Sequence, residues 1–93
     1  MNESYDFCAK KNRWLKEHRS ISFEEIIAAI KTDNLLSIVT HHNHNKYPDQ
    51  LMYLIDIDDY VYVVPFIRKD KKNVFLKTIF KSRKMTKQYL LGK

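Results

Sequence analysis

"LMYLIDIDDYVYVVPFI", residues 51–67, decides the fold. Two apolar runs flank a pair of acids. "LMYLIDI" and "YVYVVPFI" are rich in the branched and aromatic residues that suit a pleated surface. Asp58 and Asp59 between them predict a tight turn built without glycine, because aspartate tolerates turn conformations that its own side chain can bridge. The stretch reads as a β-hairpin, and its neighbours are assigned around it.

Downstream, "RKDKKN" at 68–73 reads as a second hairpin loop and "VFLKTIF" at 74–80 as one last strand. In an unbroken strand Phe75, Lys77, Ile79 and Lys81 point one way, and Val74, Leu76, Thr78 and Phe80 the other. The second set is expected in the core, the first on a half-open face. "SRKMTKQYLL" at 82–91 reads as a terminal helix, with Ser82 as N-cap and Met85 and Tyr89 at i, i+4.

Upstream, "LLSIVT" at 35–40 is a further strand, and "HHNHNKYPDQ" at 41–50 is a polar loop broken by Pro48. "SFEE" at 22–25 has the form of a capping box, in which Ser22 and Glu25 satisfy each other's backbone N–H groups. Phe23, Ile26, Ile27 and Ile30 then fall at i, i+3, i+4, i+7, the apolar stripe of a helix. An earlier helix is expected over Ala9–Arg19, with Trp14, Leu15 and His18 facing inward, preceded by a short edge strand at "YDF", 5–7. Cys8 reads as a small core residue. The expected order is β-α-α-β-β-β-β-α. It describes one α+β domain over residues 1–93, with two N-terminal helices packed on a mainly antiparallel four-stranded sheet and a C-terminal helix. The helices stack on one sheet face, and the other is expected to be free.

Length allows one domain and not two. The single cysteine rules out an internal disulfide and fits a reducing cytoplasm. "MNESYDFCAKKNRW" has no apolar stretch of the secretory kind, and no apolar run approaches the ~20 residues of a membrane helix. A cytoplasmic protein without a membrane partner is expected. Gly92 is the only glycine, which excludes glycine-rich phosphate loops, so no nucleotide cofactor is expected.

Charge is unevenly spread. Residues 1–59 carry seven Lys and Arg against ten Asp and Glu, a balance of −3; residues 60–93 carry ten against Asp70 alone, a balance of +9. The sum is the formal net charge of +6. Such asymmetry calls for an anionic partner. Lys77, Lys81, Arg83, Lys84 and Lys87 span the strand-to-helix junction, and Arg68 and Lys69 belong to the preceding hairpin loop. Cations near a helix N-terminus work against its dipole, and a phosphate bound there would reverse that cost. Tyr60, Tyr62 and Phe66 share a strand face and Tyr89 lies on the last helix, rings of the kind that stack on unpaired bases. RNA is therefore the expected partner, with Lys81, Lys84, Lys87, Arg68 and Lys69 holding its backbone. "HHNH" at 41–44 lacks a Cys or HExxH companion, so no metal or other cofactor is expected; His41 and His42 are candidates for general acid–base work.

Two separated segments resemble the BrnT family, bacterial type II toxins with a RelE-like fold. The first comprises Asp6, Lys10, Lys16, His18 and "ISFEEI" at 21–26. The second is "TIFKSRKMTKQY" at 78–89, with Arg83 and Tyr89 in the corresponding places. The sequence departs from the family pattern at Gln50 and Leu51, where an Arg is usual, at Lys81 and Ser82, and at Gln88. The resemblance implies RNA cleavage that arrests growth, blocked by a cognate antitoxin protein that covers the basic surface. In such a metal-free reaction the RNA 2′-hydroxyl attacks its own phosphate, and the protein must offset the charge that grows there. The expected assignments are Arg83 and Lys77 for charge stabilisation, Lys81 for orienting the backbone, Tyr89 as proton donor or stacking ring, and His41 or His42 as base. The alternatives are a non-catalytic RNA- or protein-binding module and an inactive toxin homologue.

Overall fold

The computed structural model describes residues 3–41 and 43–91. The elements are β1 (Ser4–Phe7), α1 (Ala9–Arg19), α2 (Phe23–Lys31), β2 (Leu35–Thr40), β3 (Gln50–Ile57), β4 (Tyr60–Arg68), β5 (Asn73–Leu76), β6 (Phe80–Lys81) and α3 (Arg83–Thr86), which continues as a wider π-helical turn over Lys87–Leu91. The α+β class follows the expectation; the element order departs from it in one place, where the expected last strand is divided into β5 and β6. The sheet is larger and mixed: its order is β1-β5-β4-β3-β2, β6 also pairs with β4, and β1 runs parallel to β5. Among the described residues no helix is long and apolar enough to cross a membrane.

The central hairpin closes as its sequence predicts. Ile57 faces Tyr60, and Asp58 and Asp59 both take left-handed backbone angles, with φ of 54° and 63°. Two successive positive φ values make the turn whose twist matches the strands. The Asp56 carboxylate accepts from the Asp59 N–H at 3.1 Å and steadies it.

The capping box at α2 also forms: Glu25 N–H donates to Ser22 Oγ at 3.2 Å, and Ser22 N–H to Glu25 Oε1 at 3.1 Å. Phe23 and Ile26 are fully buried, while Ile27 and Ile30 sit half-buried at the margin. In α1 the inward residues are Asn12 and Leu15; Trp14 and His18 face solvent, against expectation. The reason is a polar staple. Asn12 Oδ1 accepts from Phe23 N–H at 2.8 Å, and its Nδ2 donates to Glu24 at 2.8 Å. Holding that stripe against the start of α2 turns the next stripe outward. Cys8 precedes α1 and is exposed, not a core residue.

Both sheet faces are covered, which corrects the expectation of a free face. Leu15, Ile21, Phe23 and Ile26 pack with Tyr53, Ile55, Val64, Phe66, Val74 and Leu76 on one side. Met52, Leu54, Val61 and Val63 form a second cluster on the other, against Phe80, Met85, Tyr89 and Leu90. β3 and β4 are apolar at both alternating positions, so each face needs a cover, and the C-terminal helix supplies the second.

The last strand is not continuous. Phe66 faces Leu76 and Val63 faces Phe80. Between those pairs Val64 and Pro65 of β4 oppose Lys77, Thr78 and Ile79, one residue too many for a regular ladder. Pro65 causes this locally: it accepts from Lys77 N–H at 2.8 Å but has no N–H to return. The bulge reverses the alternation. Ile79 enters the first core at 0% exposure, and Phe80 turns to the second.

Candidate nucleic-acid interface

The bulge also opens the sheet edge. β1 accompanies β5 only as far as Leu76, so Ile79 has no strand beside it. Arg19, at the C-terminal end of α1, fills that place: its Nη1 donates to the Ile79 carbonyl at 2.6 Å. Beside it lies a cleft of about 420 Å³ lined by Arg19, Ile21, Tyr62, Ile79, Phe80 and Lys81, with no acid in its wall. Lys81 stands directly opposite Tyr62 and therefore shares its face. Its ammonium lies 5.8 Å from the Tyr62 ring centroid and 5.4 Å from that of Tyr60. The two tyrosines meet edge-on at 6.4 Å, both half-buried. A cation above rings at a concave edge can hold a phosphate while a base lies against an aromatic face.

The other expected residues are dispersed. Lys69 and Lys77 flank the Phe75 ring at 5.0 and 5.5 Å. Arg68 is tied to Glu3 at 2.6 Å, a hydrogen bond that raises its pKa. Phe66 is fully buried and offers no face to a base. Arg83, Lys84 and Lys87 are exposed on the last helix, and Lys84 borders a groove of about 260 Å³ with Met52, Val63, Phe80, Ser82 and Met85. The N–H groups at the start of that helix are partly spoken for: Met85 N–H donates to Ser82 Oγ at 3.1 Å. Tyr89 packs half-buried on the second cluster.

His41 stands elsewhere. Thr40 pairs with Leu51, which pairs with Phe66, whereas Lys81 pairs with Tyr62. The offset is about 13 Å along the strands and about 14 Å across them, too far for one phosphate to touch both. The buried His41 ring lies 4.7 Å from Tyr47, and its Nδ1 accepts from Asn43 N–H at 3.0 Å. His42 lies outside the described residues.

The sequence reading missed α1. Trp14 stacks on His18 at 4.5 Å, the Lys11 ammonium lies 4.5 Å from the indole centroid, and the Arg19 guanidinium 5.0 Å. Five Lys and Arg against Glu17 alone give this helix +4, which the net −3 of residues 1–59 conceals. Charge counted element by element would have found it. No protein-family model matches the chain, and neither a curated protein nor a solved structure was found to match it.

Proposed function

We propose that the protein is the toxin of a type II toxin–antitoxin pair, a metal-independent ribonuclease that arrests growth by cleaving RNA. The single observation that carries this reading is the acid-free cleft in which Arg19 and Lys81 stand beside Tyr60 and Tyr62. The resemblance of "ISFEEI" and "TIFKSRKMTKQY" to the BrnT toxins supports it, since Arg19 lies two residues before the first segment and Lys81 within the second, and the two meet at the cleft.

In this reading the RNA backbone enters the cleft and a base lies against Tyr62. One arm of Arg19 is held by the Ile79 carbonyl, which fixes the guanidinium while its remaining N–H groups face the phosphate. Lys81 and Arg83, either side of Ser82, offset the charge that grows on the phosphate oxygens as the 2′-hydroxyl attacks. The cognate antitoxin covers this positive surface with an opposite potential. A second reading, a non-catalytic RNA-binding module, is favoured by the separation of His41 and the packing of Tyr89, neither of which lines the cleft.

Induced expression in a bacterium, with growth and RNA integrity followed together, tests the proposal. Growth arrest with RNA fragmentation, relieved by Lys81→Ala or Arg83→Ala in a protein that still folds, supports the toxin. RNA binding without cleavage or arrest supports the module and removes the enzyme.

A further inference from the structure

We infer that α1 carries a second nucleotide subsite, an indole platform at Trp14 on which an unpaired base of single-stranded RNA stacks next to the cleft. The inference rests on the RNA reading above and extends it to a surface outside the cleft wall.

Trp14 is 38% exposed, unusual for the largest side chain in a protein with two apolar cores to fill. It is held there in a defined pose. His18 lies nearly parallel to it, at an interplanar angle of 16°, and the His18 Nδ1 sits 3.0 Å from the Trp14 carbonyl. A carbonyl only accepts, so Nδ1 carries the proton and the imidazole is anchored by the residue whose ring it supports. The indole is thus ordered before any ligand arrives, which lowers the entropy lost on stacking. A hollow of about 320 Å³ lined by Cys8, Lys10, Lys11 and Trp14 adjoins it.

The surrounding charge favours a polyanion. Lys10 and Lys11 stand in the first turn of α1, where no acid is present and the helix dipole disfavours cations. Lys11 rests over the indole, an exposed contact worth only a ~2–5-fold bias. A stacked base is worth ~5–150-fold and takes that position instead. The displaced ammonium then meets the adjoining phosphate.

Arg19 gives the platform its direction. The same guanidinium lies over Trp14 and binds the Ile79 carbonyl in the wall of the cleft. Platform and cleft are therefore consecutive stations on one positive path, the geometry that a single strand with splayed bases requires.

Trp14 is the only tryptophan in the chain, so its fluorescence reports on this site alone. The probe is a short single-stranded oligoribonucleotide, used unlabelled for indole emission and with a terminal fluorescein for anisotropy. Quenching of the indole with the same midpoint as the anisotropy change is expected. Trp14→Ala should weaken binding ~5–150-fold, and Trp14→Phe should recover most of it. A thermal melt confirms that each variant is folded. Binding by anisotropy with no quenching, or with Trp14→Ala binding like wild type, overturns the platform and leaves the cleft reading intact. Absence of binding in both readouts overturns the two together.

Discussion

Removing Asn12 should cost the fold more than its polar character suggests. Asn12 is 5% exposed and joins the two helices on which the cleft depends. In Asn12→Ala the Phe23 N–H keeps its burial and loses its acceptor, a penalty of about 1–3 kcal/mol. The second bond, to Glu24, counts for less, because the Glu24 side chain is 60% exposed and water replaces the lost donor. A total of about 2–3 kcal/mol is expected. Unfolding entropy of about 2.1 cal/mol/K per residue over 93 residues turns that into a fall in Tm of about 10–15 °C. The pH dependence has a definite sign. The Asn12 hydrogen bond holds the Glu24 carboxyl below the ordinary glutamate range. That stabilisation is present above the ordinary value and disappears as pH falls through the lowered one. The gap between wild type and Asn12→Ala should therefore narrow in acid. Asn12→Asp keeps the acceptor for Phe23 but places a carboxylate beside Glu24; its deficit should be greatest at neutral pH and shrink on acidification. The assay is a thermal melt by circular dichroism from neutral to acid pH. A Tm for Asn12→Ala within about 2 °C of wild type would refute the staple, since no buried N–H would then have lost its partner.

Ile26→Ala should cost about 2–5 kcal/mol in denaturant unfolding, because Ile26 is fully buried, and Ile27→Ala clearly less, because Ile27 is half-buried. If RNA lies along the cleft, log affinity falls with log salt by about 0.7 per phosphate contact, and Lys81→Ala and Arg83→Ala each flatten that slope; salt-independent binding would contradict both assignments. The backbone N–H groups of Lys11 and Lys10 lower the Cys8 thiol pKa. Its alkylation at neutral pH should therefore run faster than that of the unfolded chain, measured by mass spectrometry with and without denaturant.

Legibility tracked locality. The capping box, the Asp58–Asp59 turn and the buried face of α2 were readable because neighbours in sequence settle them. The bulge was not, because its cause, Pro65, lies on the partner strand and removes a bond that the 74–80 sequence gives no sign of losing. Trp14 was misplaced for a related reason. Hydrophobicity alone sends an indole inward, but the orientation of α1 is set by Asn12 meeting the start of α2. The cover on the second sheet face did have a signal, the doubly apolar pattern of β3 and β4. At the site, Lys81 and Tyr62 were legible as residue types. Their union with Arg19, sixty positions from the carbonyl it binds, was a property of the tertiary fold.

The extra residue at 77–79 is surplus to the ladder, so the stretch tolerates the loss of one residue and no more. It acts as a half-period phase shift in the alternation of side chains. Deleting Thr78 would restore regular pairing and keep every position after it in place: Lys77 and Ile79 would stand opposite Pro65 and Val64, Phe80 opposite Val63, and Lys81 opposite Tyr62. A library that randomises 77 and 78 while keeping the residue count should retain folded members. The same library shortened by one position should keep the hydrophobic partition and the positive cleft, because the residue removed is the surplus one, whereas shortening by two would put Ile79 opposite Pro65 and lose both.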